Sequence, residues 1–185
     1  QFLYFIGIVP SAMRFATCAV VLLLCLASAA VATPYRAAAI EHVCVTPVGD
    51  VLNTSYAVGV MQANLDILSP RVAHAALDGA DLVLLSEMAL TSLNFNRSQM
   101  ALFLTALPAA DPTGHQIPCH MAPSPVLALQ VLQRLSCLAR DNGVYLVANW
   151  GDRFPCSADP RQPCPADGHL QFNTELAFSP TGALI

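Results

Sequence analysis

Between residues 58 and 76 the apolar positions Val58, Met61, Leu65, Leu68, Val72 and Ala76 recur in steps of three and four. That spacing lays them along one face of an amphipathic helix beginning near Tyr56, and Gly79 is placed to stop it. Pro70 interrupts the pattern. In a regular helix its missing N–H and ring clash cost about 3 kcal/mol, so a kink or two helices meeting is expected there. Upstream, 37–45 is an apolar run broken only by Glu41-His42 and closed by Thr46-Pro47-Val48-Gly49-Asp50, which predicts a first strand and a loop. The run 81–86, with Leu82-Val83-Leu84-Leu85 at its centre, is apolar on both faces, as a strand buried between layers would be. Residues 88–121 are irregular and rich in Asn, Pro and Gly. Ser124-Pro125 then supplies an N-cap and a first-turn proline for a helix through Arg140, which Asn142-Gly143 ends. A third strand over 144–149, a Pro-, Asp- and Cys-rich loop over 151–169, and an alternating strand over 170–178 follow. Ser179-Pro180-Thr181-Gly182 turns that strand into Ala183-Leu184-Ile185, the start of a hairpin partner.

Strands alternating with helices and closing on a hairpin predict an α/β layered domain, without internal repeats or low-complexity segments. At 185 residues one core is expected, and the 55% hydrophobic composition is inflated by an apolar N-terminus. Met13-Arg14, the apolar run 15–26 and the small-residue exit Ala30-Val31-Ala32 read as a secretory signal peptide over 13–32, cleaved before Thr33. An uncleaved anchor helix is the alternative, since 15–32 approaches membrane-spanning length. Residues 1–12, ahead of a plausible initiator, are an upstream segment of doubtful status, which leaves 33–185 as the folded part.

The net charge of −4 is spread without acidic or basic runs and gives no footprint for nucleic acid. All eight Lys-plus-Arg positions are arginine. Removing the leader removes Cys18 and Cys25 and leaves Cys44, Cys119, Cys137, Cys156 and Cys164 in an oxidising compartment. Cys156 and Cys164 bracket a seven-residue loop containing Pro160 and Pro163, which suits a local bridge. By elimination Cys119 and Cys137 form a second pair, and Cys44, placed in the first strand, is a buried free thiol. The cluster His115-x3-Cys119-His120 lacks the paired two-residue spacings of structural zinc sites, so no metal is expected. His42, His74 and His169 have no partner at catalytic spacing, and Trp150 reads as core. The triplets Asn53-Thr54-Ser55 and Asn96-Arg97-Ser98 make Asn53 and Asn96 candidate glycosylation sites.

Several blocks in order carry a resemblance over about 35–185. They are Tyr35-Arg36-Ala37-Ala38 with Glu41-His42, Asn64-Leu65-Asp66-Ile67-Leu68, Asn94-Phe95-Asn96-Arg97, Ile117-Pro118-Cys119, Arg134-Leu135-Ser136-Cys137, Val147-Ala148-Asn149-Trp150-Gly151-Asp152, Asp159-Pro160, Cys164-Pro165, Asp167-Gly168 and Gln171-Phe172-Asn173-Thr174. Together they resemble the vanin and biotinidase branch of the nitrilase superfamily, secreted enzymes that hydrolyse amide C–N bonds. The resemblance implies the N-terminal half of an α-β-β-α sandwich, incomplete at its C-terminus, acting on a small-molecule amide without cofactor or metal. It also implies that Glu87, at the rim of the strand 82–86, takes a proton from a nucleophilic cysteine and later activates water. Half-desolvation at such a rim would raise a carboxyl toward the range useful for proton transfer. The lysine and cysteine that complete the triad are expected beyond Ile185, as is the C-terminal lipid anchor that some relatives carry. Ser86 stands where the family usually has proline, Met88 where it has an acidic or small residue, and Ser92-Leu93 where it has glycine and an aromatic. These departures motivate a second reading, a non-catalytic nitrilase-fold binding or storage protein. An unrelated disulfide-stapled binding module is a third reading, which would not need the buried strand.

Overall fold

In the computed structural model, residues 34–49, 53–92, 95–108, 116–156 and 163–185 are described, and Tyr35–Ile185 forms one unit. The expected leader over 13–32 with Cys18 and Cys25, the upstream segment 1–12, and Asn94, His115 and Asp159-Pro160 lie outside the described residues. The chain runs β1 (Ala37–Ile40), α1 (Thr54–Leu77), β2 (Leu82–Leu85), α2 (Arg97–Met100), a 3-10 turn (Pro118–His120), α3 (Leu127–Asn142), β3 (Tyr145–Pro155) and β4 (His169–Phe178). The sheet order is β1-β2-β3-β4, with the first two pairings parallel and the last antiparallel. Each parallel pair needs a crossover, and α1 and α3 supply the two.

The helical periodicity finds its partner here. Met61, Leu65, Leu68 and Val72 of α1 and Val131, Leu135 and Ala139 of α3 are buried against Val83, Leu85, Leu146, Ala148, Trp150 and Phe178. At the rim of that packing, Arg134 donates to Asp66 Oδ1 at 2.6 Å and to the Gln62 side chain. The helices cover one face of the sheet. On the other, Leu82, Leu84 and Val147 are only half-buried and Tyr145 is exposed, so the expectation of a second strand buried on both sides is met on one side among the described residues.

Four boundaries differ from expectation, each for a local reason. First, β1 ends at Ile40 rather than Val45, because the fully buried Asn64 captures the next segment. Val45 N donates to Asn64 Oδ1 at 2.7 Å and Asn64 Nδ2 donates to Val45 O at 3.2 Å, in place of ladder bonds. Second, of the two outcomes expected at Pro70 the meeting of two helices does not occur, since α1 is one helix with Pro70 inside it. Pro70 and Asp66 lie on the exposed face, so the carbonyl that proline leaves without a donor is open to water. Third, α3 starts at Leu127, and Ser124 serves the preceding turn by accepting from Val126 N at 3.1 Å. Gly143, in the left-handed region at φ 64°, ends that helix where expected. Fourth, β3 continues through Pro155 and β4 begins at His169, so both ends of what read as a loop, 151–155 and 169, are paired strand. Phe154 and Phe172 pack edge to face across it, with ring centroids 6.3 Å apart.

The structure bonds Cys156 to Cys164 and Cys119 to Cys137, with Cα separations of 5.5 and 4.9 Å. The first closes the tip of the hairpin, and the second fastens the 3-10 turn to α3. No described helix is long and apolar enough to cross a membrane.

Candidate active site around Glu87

Glu87 sits in the turn that follows β2, at the carboxyl end of the parallel strands, where open α/β sheets place their ligands. This turn is strained and heavily braced. Met88 and Ser92 have φ of 57° and 70°, a region side chains other than glycine enter at a cost of about 1–2 kcal/mol each. Ser92 thus occupies a position whose backbone suits the glycine that the resemblance leads one to expect near it. Two buried amides hold the turn from opposite sides. Asn64 Nδ2 donates to Leu90 O at 2.9 Å, and Met88 N donates to Asn149 Oδ1 at 3.0 Å.

The Glu87 side chain itself is exposed, and this corrects the expectation of a half-desolvated carboxylate. The turn lifts it clear of the helix-covered core, over the open face of the sheet. Its Oε1 accepts from Asn173 Nδ2 at 2.5 Å. Glu87 separates two clefts. One, of about 740 Å³, is lined by His42, Cys44, Thr46 and Ser92; the other, of about 280 Å³, is more apolar and is lined by Met88, Met100, Leu104 and Phe172. Gly151 shapes the second, because a β-carbon there would collide with the Leu104 side chain.

Cys44 lies in the loop past β1, half-buried and free, rather than within a strand. Burial pushes its thiol up, against weaker opposition from hydrogen bonds to the Ser92 and Cys44 backbone, so it is a poor source of thiolate. His42, expected to be inert, shares the cleft. Its Nε2 pairs with Asn64 Oδ1 at 3.2 Å, while its Nδ1 is buried with no hydrogen-bond partner. His74 pairs with Asp78 on the surface, and His169 is buried with Nδ1 against Asp167 O at 3.1 Å. Trp150 is core. Cys119 is held in its disulfide beside an exposed His120. Among the described residues no three His, Cys, Asp or Glu side chains gather to hold a metal ion.

Asn53 and Asn96 both cap helices through their carbonyl oxygens. Asn53 Oδ1 accepts from Tyr56 N at 2.9 Å, and Asn96 Oδ1 accepts from Gln99 N at 3.0 Å and Ser98 Oγ at 2.7 Å. Next to Asn96, Arg97 makes a two-pronged pair with Asp167 at 2.8 and 2.9 Å that ties α2 to the hairpin. The hydrogen bond from Arg97 holds the Asp167 carboxyl below the usual carboxylate range, against a smaller opposing effect of desolvation. A depressed folded value means that the contribution is present above the unfolded carboxylate value, near ~4, and is lost as pH falls through the folded value. Asp167→Asn is therefore expected to lower the thermal midpoint at pH 7 and to converge on the unaltered protein as pH falls through the depressed folded value of Asp167. A deficit that stays constant from pH 7 to that acid limit would count against the pair.

Sequence reasoning named Glu87 but passed over Asn149 and Asn173 as parts of the site. A signal existed for Asn149, a polar position whose preceding neighbours of the same parity, Tyr145 and Val147, are apolar, whereas Asn173 stands between Gln171 and Glu175 on its face and carries no such signal.

No family model matches the sequence. The chain is 37% identical over 167 residues to pantetheinase from Canis lupus familiaris, covering 89% of this chain and 32% of that protein. It is 39% identical over 126 residues to biotinidase from Takifugu rubripes, covering 68% of this chain and 25% of that protein. The chain belongs to the pantetheinase and biotinidase branch of the nitrilase superfamily. It spans about a third of the length of the pantetheinases it matches. A solved amidase from Nesterenkonia sp. aligns over 82% of this chain and 40% of its own, at 21% identity and a TM-score of 0.42. Of the five described cysteines four are bonded and the fifth, Cys44, is held as a thiol.

Proposed function

We propose that the full-length protein is a secreted amidohydrolase that cleaves a linear amide C–N bond, with Glu87 as its proton acceptor. The observation that carries this reading is a carboxylate presented beside two clefts at the carboxyl end of the sheet, in a braced turn, within a chain 37% identical to a pantetheinase. The nucleophilic cysteine and the lysine lie beyond Ile185 on this reading. Glu87 takes the thiol proton, and the thiolate adds to the amide carbonyl while the lysine ammonium stabilises the oxyanion. Collapse of the intermediate breaks the C–N bond, and the amine leaves with the proton that Glu87 returns. A thioester remains. Glu87 then takes a proton from water, the hydroxide adds to the thioester, and the acid departs as the thiol is restored. No cofactor enters. Amides of the pantetheine and biotinyl types are the substrates to assay, with Glu87→Gln as the test.

Secretion belongs to the same proposal, with cleavage after Ala32 and glycans on Asn53 and Asn96. Expressed from Met13 in a secretory cell, the product is expected to begin within a few residues of Thr33. Terminal sequencing that finds Met13 retained on a membrane-bound product would overturn this.

A further inference from the structure

Two asparagines of the β3–β4 hairpin end at Glu87, and the way their amides must point follows from donor and acceptor chemistry. Asn149 is buried, 5% exposed. A backbone N–H only donates, so the Met88 N–H at 3.0 Å commits the carbonyl end of Asn149 to the turn. The NH2 end must then face β4, where it donates to Asn173 Oδ1 at 2.5 Å and to Glu175 Oε1 at 2.9 Å. Accepting that bond turns the carbonyl of Asn173 inward and leaves its NH2 outward, donating to Glu87 Oε1 at 2.5 Å.

The hairpin register makes this possible. Asn149 stands opposite Glu175 and Gly151 stands opposite Asn173, so Asn149 and Asn173 are diagonal neighbours on the same face. The same Asn149 amide also fixes the backbone from which Glu87 projects, through Met88 at its positive φ. One buried side chain therefore sets both ends of the base, its main chain directly and its carboxylate through Asn173.

We propose that Asn173, set by Asn149, is a positioning residue that holds the Glu87 carboxylate by Oε1 and leaves Oε2 directed at the group it deprotonates. The inference rests on the reading of Glu87 as proton acceptor. An exposed glutamate on its own samples many rotamers, whereas a general base must lie within roughly 2.6–3.2 Å of the proton it removes. The donor from Asn173 restricts that freedom without burying the charge, and an uncharged donor to a carboxylate is a strong bond.

The test uses the full-length protein and whichever amide it turns over. Asn173→Asp keeps the size of the side chain and its acceptance from Asn149, but faces Glu87 with an acceptor where a donor stood. The expected result is a fall in kcat of about 10- to 100-fold with KM within about threefold, because positioning rather than binding is lost. In a Glu87→Gln background the same substitution should cost less than about twofold, since no base remains to be positioned. Asn173→Ala, which removes the amide without adding charge, should follow the same pattern, and matched melting curves exclude a folding effect. A wild-type kcat for both variants while Glu87→Gln is impaired would overturn the positioning role and leave the base in place. An equal loss in both backgrounds, or a change confined to KM, would mean that Asn173 acts elsewhere. A Glu87→Gln enzyme as fast as the unaltered one would remove both readings.

Discussion

Glu87→Gln in the full-length protein is expected to lower the rate of amide hydrolysis by about 10² to 10⁴, the range that general acid–base groups contribute. The substitution is a narrow one. Glutamine keeps a carbonyl oxygen where Asn173 Nδ2 donates, and the side chain is exposed, so neither packing nor the hydrogen bond is disturbed. What disappears is the capacity to accept a proton. Steady-state assays of both proteins on pantetheine and biotinyl amides, with melting curves alongside, decide the matter. A mutant as fast as the unaltered enzyme makes Glu87 a loop carboxylate. If neither protein hydrolyses any amide, the non-catalytic binding or storage reading, motivated by Ser86 and Met88, becomes the better one.

The largest expected effect on stability comes from Asn64→Leu. Asn64 is fully buried, and its amide is the partner of Val45 N, Val45 O and Leu90 O at 2.7, 3.2 and 2.9 Å. Leucine supplies neither donor nor acceptor. Each of those three groups then loses its partner at about 1–3 kcal/mol, so a loss of about 3–9 kcal/mol is expected. That is a large part of the 5–15 kcal/mol by which domains are ordinarily stable, and the loop carrying His42 and Cys44 should loosen with it. Asn64→Asp, which keeps the acceptor for Val45 N but no donor, should fall between the two. Chemical denaturation of the three proteins measures this, and a change below about 1 kcal/mol for the leucine variant would show that the loop finds other partners.

The candidate site illustrates why one residue was legible and its neighbours were not. Glu87 was named through the resemblance of the surrounding blocks, since a carboxylate after an apolar run is by itself more often a solvated loop residue. Its exposure was not legible, because exposure depends on what the rest of the fold lays over the turn. Asn149 and Asn173 are 24 positions apart in the chain and become partners only through the hairpin register. The sequence over 151–169 disguised that hairpin, since Gly151, Asp152 and Arg153 are poor strand formers that pair because Phe172, Gln171 and their neighbours lie opposite.

What the sequence by itself determined is what short-range periodicity and turn chemistry encode. It specified the apolar faces of α1 and α3, the stop at Gly143, the strand cores of β2 and β4, and the α/β order, because side chains three, four or two positions apart share a face wherever the chain goes. The tertiary structure decided matters that required a distant partner. Asn64 ended β1 by taking up the Val45 backbone, solvent at Asp66 let α1 pass through Pro70, and pairing with β4 drew β3 out to Pro155. Each outcome follows from one requirement, that every backbone and side-chain polar group find a partner or water, and sequence-local patterns do not say which distant group that partner will be.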